Sequence, residues 1–152
     1  MERLQIRQYR HSNRIRKFHH VYKRRQEENF RRFFLYILFI RRKGETMECN
    51  YELKDGCLRI CVPKELDHHC AVGLRMEADL LIEAYQVRKL IFDFSETEFM
   101  DSSGIGVLIG RCKNMSYSGG EVTAENLSER VQKIFVVSGL HKIIKIETKE
   151  DN

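Results

Sequence analysis

Two neighbouring stretches give the clearest prediction of the fold: Lys-Leu-Ile-Phe-Asp-Phe at 89–94 and Phe-Met-Asp-Ser-Ser-Gly-Ile-Gly-Val-Leu-Ile-Gly-Arg at 99–111. The first is a short apolar run of the kind that forms a buried strand. The second changes to helical spacing after Asp101, and this spacing predicts a helix over 102–115. A buried strand followed by a helix is the unit from which largely parallel sheets are built.

The same alternation continues on both sides of this unit. Upstream, Asp55-Gly56 is a two-residue hairpin signal between two alternating stretches. The further predicted elements are strands at 51–54, 57–63, 121–124 and 143–147, and helices at 67–85 and 127–137. This order predicts an α/β fold, with a single domain built on a mixed, mostly parallel β-sheet covered by helices.

Charge divides the chain into two unlike pieces. Residues 1–46 carry fourteen Lys or Arg against four Asp or Glu, a formal charge of +10. Residues 47–152 carry thirteen against eighteen, a formal charge of −5. We therefore predict a basic extension at 1–46 and one folded domain at 47–152, because ~100 residues are enough for a single hydrophobic core.

The basic extension has more than one interpretation. Arg-rich arms bind nucleic acids, and a basic helix or the apolar run at 33–40 could hold a protein on a membrane. A transit peptide is the third alternative. The basic residues do not separate from the apolar ones along one helical face, however. Lys43-Gly44-Glu45 permits the back-translation AAAGGAGAA just upstream of Met47, which resembles a bacterial ribosome-binding site. The favoured interpretation is therefore a mis-called start, with leader read as protein, or else a disordered extension without nucleic-acid or membrane contacts.

Cysteine usage and hydropathy indicate the compartment. The five cysteines are odd in number and include no Cys-x-x-Cys pair, which is typical of reduced thiols. No apolar run reaches the ~20 residues that span a bilayer. We therefore expect a cytoplasmic protein.

One face of the predicted helix at 102–115 carries small residues. On a helical wheel, the side expected to meet the core holds Ile105, Leu108, Ile109, Cys112 and Met115. The opposite side holds Ser103, Gly106, Val107, Gly110 and Asn114. Glycine within a helix costs about 1 kcal/mol relative to alanine, so two glycines one turn apart on an exposed face suggest a flat docking surface for a partner protein. A helix of poor propensity without a docking role is the alternative.

Three polar residues stand at the start of this helix. Asp101, Ser102 and Ser103 are residue types preferred at helix N-caps, which is the simplest account of them. A phosphate on Ser102 would add about −1.5 to −2 charges, which a helix N-terminus tolerates but a docked partner would have to desolvate or face. The hypothesis is a phosphorylation switch at Ser102 beside the docking surface.

Three stretches together resemble a known family. They are Glu-Leu-Asp-His-His at 65–69, the stretch at 99–111, and Val-Val-Ser-Gly-Leu at 136–140 with Lys-Ile-Ile at 142–144. They are similar to the STAS-domain anti-sigma factor antagonists, in particular those that act in the sporulation of endospore-forming bacteria. The resemblance covers 47–147 and departs at Lys64, where the family commonly has Gly.

The resemblance implies a partner-switching mechanism. In this family the unphosphorylated antagonist binds an anti-sigma factor that is also a serine kinase, and so releases the sigma factor. The kinase phosphorylates the first serine after the motif aspartate, here Ser102, and a PP2C-type phosphatase restores the active form. The positions that match the switch segment or the neighbouring partner-binding loop are Asp67, Asp101, Ser102, Ser103, Gly104 and Gly106. A STAS module of another stress-signalling complex remains an alternative.

Metal-binding and catalytic interpretations are weaker. Asp67, His68, His69 and Cys70 are adjacent on one segment, which rarely converges on one ion, and no second ligand pair lies at standard spacing. Ser102 has no base partner in the sequence, and no glycine loop of a phosphate-binding type is present. We therefore expect no enzymatic activity, no metal and no cofactor.

Overall fold

The computed structural model describes residues 4–6, 35 and 50–148. Its strands are β1 (Leu4–Ile6), β2 (Asn50–Lys54), β3 (Cys57–Cys61), β4 (Glu65–Leu66), β5 (Lys89–Asp93), β6 (Phe99–Met100), β7 (Glu121–Glu125) and β8 (Lys145–Glu147). Helices α1 (His68–Tyr85), α2 (Ser102–Tyr117) and α3 (Glu129–Ser138) alternate with them, and a 3-10 turn spans Leu140–Lys142. The predictions for residues 1–46 fall outside the described residues, except at β1.

The main sheet has the strand order β1-β2-β3-β5-β7-β8. β2 pairs antiparallel with β1 and β3, whereas the pairs β3–β5, β5–β7 and β7–β8 are parallel. From β3 to β8 the spatial order follows the chain order, and right-handed crossovers then place the helices on one face of the sheet. The predicted mixed, mostly parallel sheet covered by helices is confirmed.

The β2–β3 hairpin forms where the sequence predicts it. Asp55 and Gly56 have φ angles of 50° and 75°, the left-handed values that a two-residue type I′ turn requires at both central positions. On β3, Leu58 and Ile60 are fully buried, while Arg59 between them is only partly buried. This alternation assigns one face of β3 to the core and the other to solvent.

The core lies between the sheet and the helices. The largest fully buried side chains are Tyr51, Leu58, Ile60, Leu66, Leu74, Leu81, Leu90, Phe92, Phe94, Leu108, Met115 and Phe135. The rings of Phe94 and Phe135 meet edge to face with centroids 5.3 Å apart, which joins the end of β5 to α3.

The opposite face of the sheet carries charged residues that pair between strands. The Arg59 Nη1 atom lies 2.6 Å from Glu125 Oε2 and 3.4 Å from Asp93 Oδ2. Lys89 Nζ lies 3.2 Å from Glu147 Oε1. Successive side chains of a strand point to opposite faces, so these residues lie on the face opposite to that of the buried Leu58, Phe92 and Ala124.

Two short strands were not predicted. β4 and β6 pair in parallel, with Glu65 opposite Phe99 and Leu66 opposite Met100. Strands of two residues are too short to produce a periodic pattern in the sequence. Their pairing brings the starts of α1 and α2 to the same place.

The C-terminal elements begin later than predicted. α3 begins at Glu129, because the Ser128 side chain accepts the N–H of Val131 and so acts as its N-cap. The helix ends as expected at Gly139, whose φ is 77°. After the 3-10 turn, the N–H groups of Ile143 and Ile144 bond to the carbonyl oxygen of Leu140, so β8 begins at Lys145 instead of at residue 143.

The departure from the family at Lys64 leaves the turn intact. Among the described residues, Lys64 is not one of those with a positive φ, so its position does not require glycine. Its carbonyl oxygen accepts the N–H groups of Glu98 at 2.8 Å and Phe99 at 3.1 Å, which ties the loop before β4 to the loop before β6.

One ionisable side chain lies inside the core. Glu77 on α1 is 3% exposed, and the hydroxyl group of Tyr51 on β2 donates a hydrogen bond to its Oε2 atom. Burial raises the pKa of Glu77 to about 7 from the ordinary 4.5, although the hydrogen bond from Tyr51 acts in the lowering direction. Between about pH 4.5 and pH 7, Glu77 is therefore protonated in the folded protein and ionised in the unfolded chain.

We predict that Glu77→Gln removes a pH dependence from stability. Since the pKa of Glu77 is raised in the folded state, its ionisation lowers the free energy of unfolding as pH rises from about 4.5 to about 7. The difference amounts to about 3 kcal/mol at most, at 1.36 kcal/mol per pKa unit. Urea unfolding of the wild type and the variant at pH 5 and pH 8 measures it. Glu83→Gln, at an exposed position of the same helix, is the control, and equal pH dependence in all three proteins would contradict the prediction.

Candidate functional site

The N-termini of α1 and α2 lie side by side. β4 ends at Leu66, followed by Asp67 as the N-cap of α1, and β6 ends at Met100, followed by Asp101 as the N-cap of α2. Because Leu66 and Met100 are partners in the β4–β6 pair, the two capping aspartates occupy equivalent places on adjacent chains. The capping role predicted for Asp101 is confirmed, and Asp67 has the same role at the start of α1.

The carboxylate of Asp101 joins the two helices. Its Oδ1 atom accepts the N–H groups of Ser103 at 2.7 Å and Gly104 at 3.1 Å, which caps α2. Its Oδ2 atom accepts the N–H group of His68, the first residue of α1, at 3.1 Å. The backbone N–H of Asp101 also donates to the carbonyl oxygen of Leu66 at 3.2 Å. One side chain therefore satisfies backbone donors at the start of both helices.

Asp67 caps α1 alone. Its Oδ1 atom accepts the N–H group of Cys70 at 2.9 Å. The hydrogen bonds from Cys70 lower the pKa of Asp67, so the capping group stays ionised at neutral pH. The site thus presents two carboxylates, each bound to backbone N–H groups.

Ser102 and Ser103 differ in their surroundings. Ser102, the first residue of α2, is exposed to solvent. Ser103 is partly buried, and its Oγ atom lies 3.3 Å from Nδ1 of His68. Of the two hydroxyl groups, the one at Ser102 is therefore the more accessible to another protein.

Gly104 serves packing. A Cβ atom at this position would lie 2.6 Å from the carbonyl oxygen of Leu66 and 2.8 Å from side-chain atoms of both Leu66 and Met100. α2 can approach β4 and β6 this closely only with glycine here. Gly104 is buried, so the structure gives it a role inside the domain rather than in the direct partner contact that the resemblance implies.

The predicted orientation of α2 was wrong at Val107. This side chain is 6% exposed and belongs to the core, so it does not lie on the open face. The buried side of α2 consists of Gly104, Val107, Leu108, Arg111 and Met115. Close packing of Gly104 turns the helix so that Ile105, Ile109 and Cys112 lie at the margin of the core, where they are partly buried. The pattern of apolar residues in the sequence did not predict that Gly104 and Arg111 face the core.

The remaining small face of α2 is accessible. Gly106 and Asn114 are exposed and Gly110 is partly buried. No heavy atom lies within 4 Å of a Cβ atom placed on Gly106 or Gly110, so the fold requires neither glycine for space. α1, which packs against α2, exposes the apolar side chains of Val72 and Met76 at 49% and 43%. The sequence analysis did not single out these two residues, although they stand four apart on one side of an amphipathic helix.

A buried arginine fixes α2 to α1. Arg111 is 5% exposed, and its Nε atom lies 3.0 Å from Oδ1 of Asp79. Its Nη1 atom donates to the carbonyl oxygen of Arg75 at 3.2 Å. Both partners are on α1, so this contact helps to hold together the helices whose N-termini form the site.

Metal ligation and membrane insertion find no support in the described part of the chain. Within residues 50–148, no three His, Cys, Asp or Glu side chains form a group that could hold a metal ion. Asp67 is used as a helix cap, and Cys70 donates its N–H to it. No helix in the described residues is long and apolar enough to cross a membrane.

The fold and the paired helix N-termini define a STAS domain. The STAS domain model matches residues 48–152, and the chain belongs to this family. It is 34% identical over 107 residues to the anti-sigma F factor antagonist of Paenibacillus polymyxa, covering 70% of this chain and 92% of the relative. It is 33% identical over 107 residues to the anti-sigma-B factor antagonist of Bacillus subtilis, covering 69% and 96%.

Solved structures agree with this assignment. The phosphorylated form of the Bacillus cell fate determinant SpoIIAA superposes with a TM-score of 0.56 at 29% identity, covering 66% of this chain and 92% of that one. The unphosphorylated form of the anti-sigma factor antagonist SpoIIAA also gives a TM-score of 0.56, at 25% identity, covering 68% and 89%. The resemblance first inferred from the sequence motifs is therefore confirmed.

We predict opposite effects of alanine at two glycines of α2. Gly104→Ala should lower the free energy of unfolding by about 1–3 kcal/mol, because the new methyl group overpacks the contact with Leu66. Gly106→Ala should raise it by about 0.5–1 kcal/mol, because the position is open and alanine favours helix. Urea unfolding followed by circular dichroism compares the variants. Equal changes of the same sign would show that α2 does not pack as described.

Proposed function

We propose that this protein is an anti-sigma factor antagonist controlled by phosphorylation of Ser102. The unmodified form binds an anti-sigma factor that is also a serine kinase, and this binding releases the sigma factor. Phosphorylation of Ser102 ends the interaction, and a PP2C-type phosphatase reverses it. In this proposal the protein is a cytoplasmic binding protein, and Ser102 is a substrate of the kinase rather than a catalytic group.

The observation that carries the proposal is the position of Ser102. It is exposed at the first position of α2, beside an N-terminus of α1 that the same Asp101 carboxylate joins to α2. The N-terminal end of a helix carries partial positive charge, so the start of α2 tolerates a phosphate on its first residue. The domain can accept the new charge without losing its fold.

A phosphate on Ser102 becomes unfavourable once a partner protein has docked on α2. The proposed docking surface consists of Asp67, Asp101, Ser103, Gly106, Gly110 and Asn114. Glycines that the fold does not require for space let a partner backbone approach α2 closely. A dianion at Ser102, on the rim of this surface, would have to be desolvated or placed against the partner. The phosphate therefore acts on binding and leaves the fold unchanged.

The relatives support the class of partner. The P. polymyxa relative is named as an antagonist of an anti-sigma F factor, and the B. subtilis relative as an antagonist of an anti-sigma-B factor. Their identities to this chain are 34% and 33%, so similarity favours neither sigma factor. The experiment is therefore designed with each anti-sigma kinase of the host in turn.

We predict one phosphate, on Ser102. The full chain is incubated with an anti-sigma kinase and ATP, and the product is analysed by intact-mass and fragment mass spectrometry. The wild type should gain a single phosphate located on Ser102, because that hydroxyl group is exposed while Ser103 is partly buried beside His68.

Two variants make the result specific. Ser102→Ala should gain no phosphate, whereas Ser103→Ala should be phosphorylated as the wild type is. A phosphate on Ser103 would contradict the assignment of the site. Absence of both phosphate and binding with every anti-sigma kinase of the host would contradict the proposed function.

A further inference from the structure

The outer edge of β2 has a defined set of hydrogen-bonding groups. Lys54 and Cys57 flank the two-residue turn and therefore form a hydrogen-bonded pair of the β2–β3 ladder. Because hydrogen-bonding directions alternate along a strand, the N–H groups of Glu52 and Lys54 point to β3. Those of Tyr51 and Leu53 point away from β3, to the edge of the sheet.

This edge is occupied by β1. Leu4 is paired with Leu53, Gln5 with Glu52 and Ile6 with Tyr51, in an antiparallel register. The residue types in β1 alternate apolar, polar, apolar, in step with β2, where Tyr51 and Leu53 are buried and Glu52 is exposed. Both register and composition therefore fit a strand that continues the sheet.

Without β1, β2 would end the sheet with two unpaired backbone N–H groups beside buried apolar residues. Uncovered edges of this kind pair with other chains, and proteins generally protect them. We propose that the N-terminal segment of this chain is an edge cap, in which Leu4–Ile6 pair with β2 of the same molecule. The interpretation of residues 1–46 as a disordered extension or an untranslated leader then fails at Leu4–Ile6, which become part of the folded domain.

Amide hydrogen exchange of the full chain, followed residue by residue by NMR, tests the proposal. The amides of Tyr51 and Leu53 report on pairing with β1, while those of Glu52 and Lys54 report on the β2–β3 hairpin and serve as an internal control. Ile6→Pro removes an N–H that the register directs to β2. Gln5→Pro is the matched variant, because the N–H of Gln5 points away from β2 and its loss is tolerated on an outer strand.

The proposal predicts slow exchange of all four amides in the wild type and in Gln5→Pro. In Ile6→Pro, exchange at Tyr51 and Leu53 should accelerate about tenfold or more, a factor that corresponds to ~1.4 kcal/mol, with Glu52 and Lys54 unchanged. Fast exchange of Tyr51 and Leu53 in the wild type, or the same rates in both variants, would overturn the proposal. So would a wild-type dimer in sedimentation, since a second copy would then supply the strand, or an intact mass from the native gene that begins at Met47.

Discussion

The carboxylate of Asp101 is the contact on which the arrangement of the site depends. It accepts N–H groups from the first turn of α2 and from the first residue of α1. The β4–β6 pair aligns the two loops over only two residues each. The hydrogen bonds of the Asp101 carboxylate add to this short ladder in fixing the relative position of the two helix starts. The position of the start of α2, where Ser102 lies, relative to α1 follows from this contact.

Two glycines of α2, Gly104 and Gly106, have different surroundings and different roles. Gly104 is required because the helix packs onto Leu66 and Met100, and a methyl group there has no room. Gly106, two residues later on the other side of the helix, has open space around it and lowers helix propensity without a structural gain. The ion pair of the buried Arg111 with the half-exposed Asp79 helps to hold α2 against α1. One side of α2 is thus packed against the domain, and the other side is accessible.

Most of the fold could be predicted from the sequence because its elements carry strong local signals. Asp55-Gly56 specified the hairpin, the apolar run at 89–94 the central strand, and Asp67 and Asp101 the helix starts. The β4–β6 pair could not be predicted, since two-residue strands have no period. Val107 was placed on the wrong side of α2 because the wheel assumed that apolar residues alone define the core, whereas Gly104 and the paired Arg111 also face inward. The bond from His68 to Asp101 joins residues far apart in sequence, and no local pattern encodes it.

The central claim is that charge at Ser102 controls docking without disturbing the domain. The most direct measurement is the dissociation constant of the unmodified and the Ser102-phosphorylated full chain for the same anti-sigma kinase, by isothermal titration calorimetry. We predict that the phosphate weakens binding by about a hundredfold or more, which corresponds to a binding free-energy penalty of roughly 3 kcal/mol. The circular dichroism spectrum should stay the same. Equal affinities of the two forms would contradict it, and so would a loss of affinity that accompanies unfolding of the phosphorylated domain.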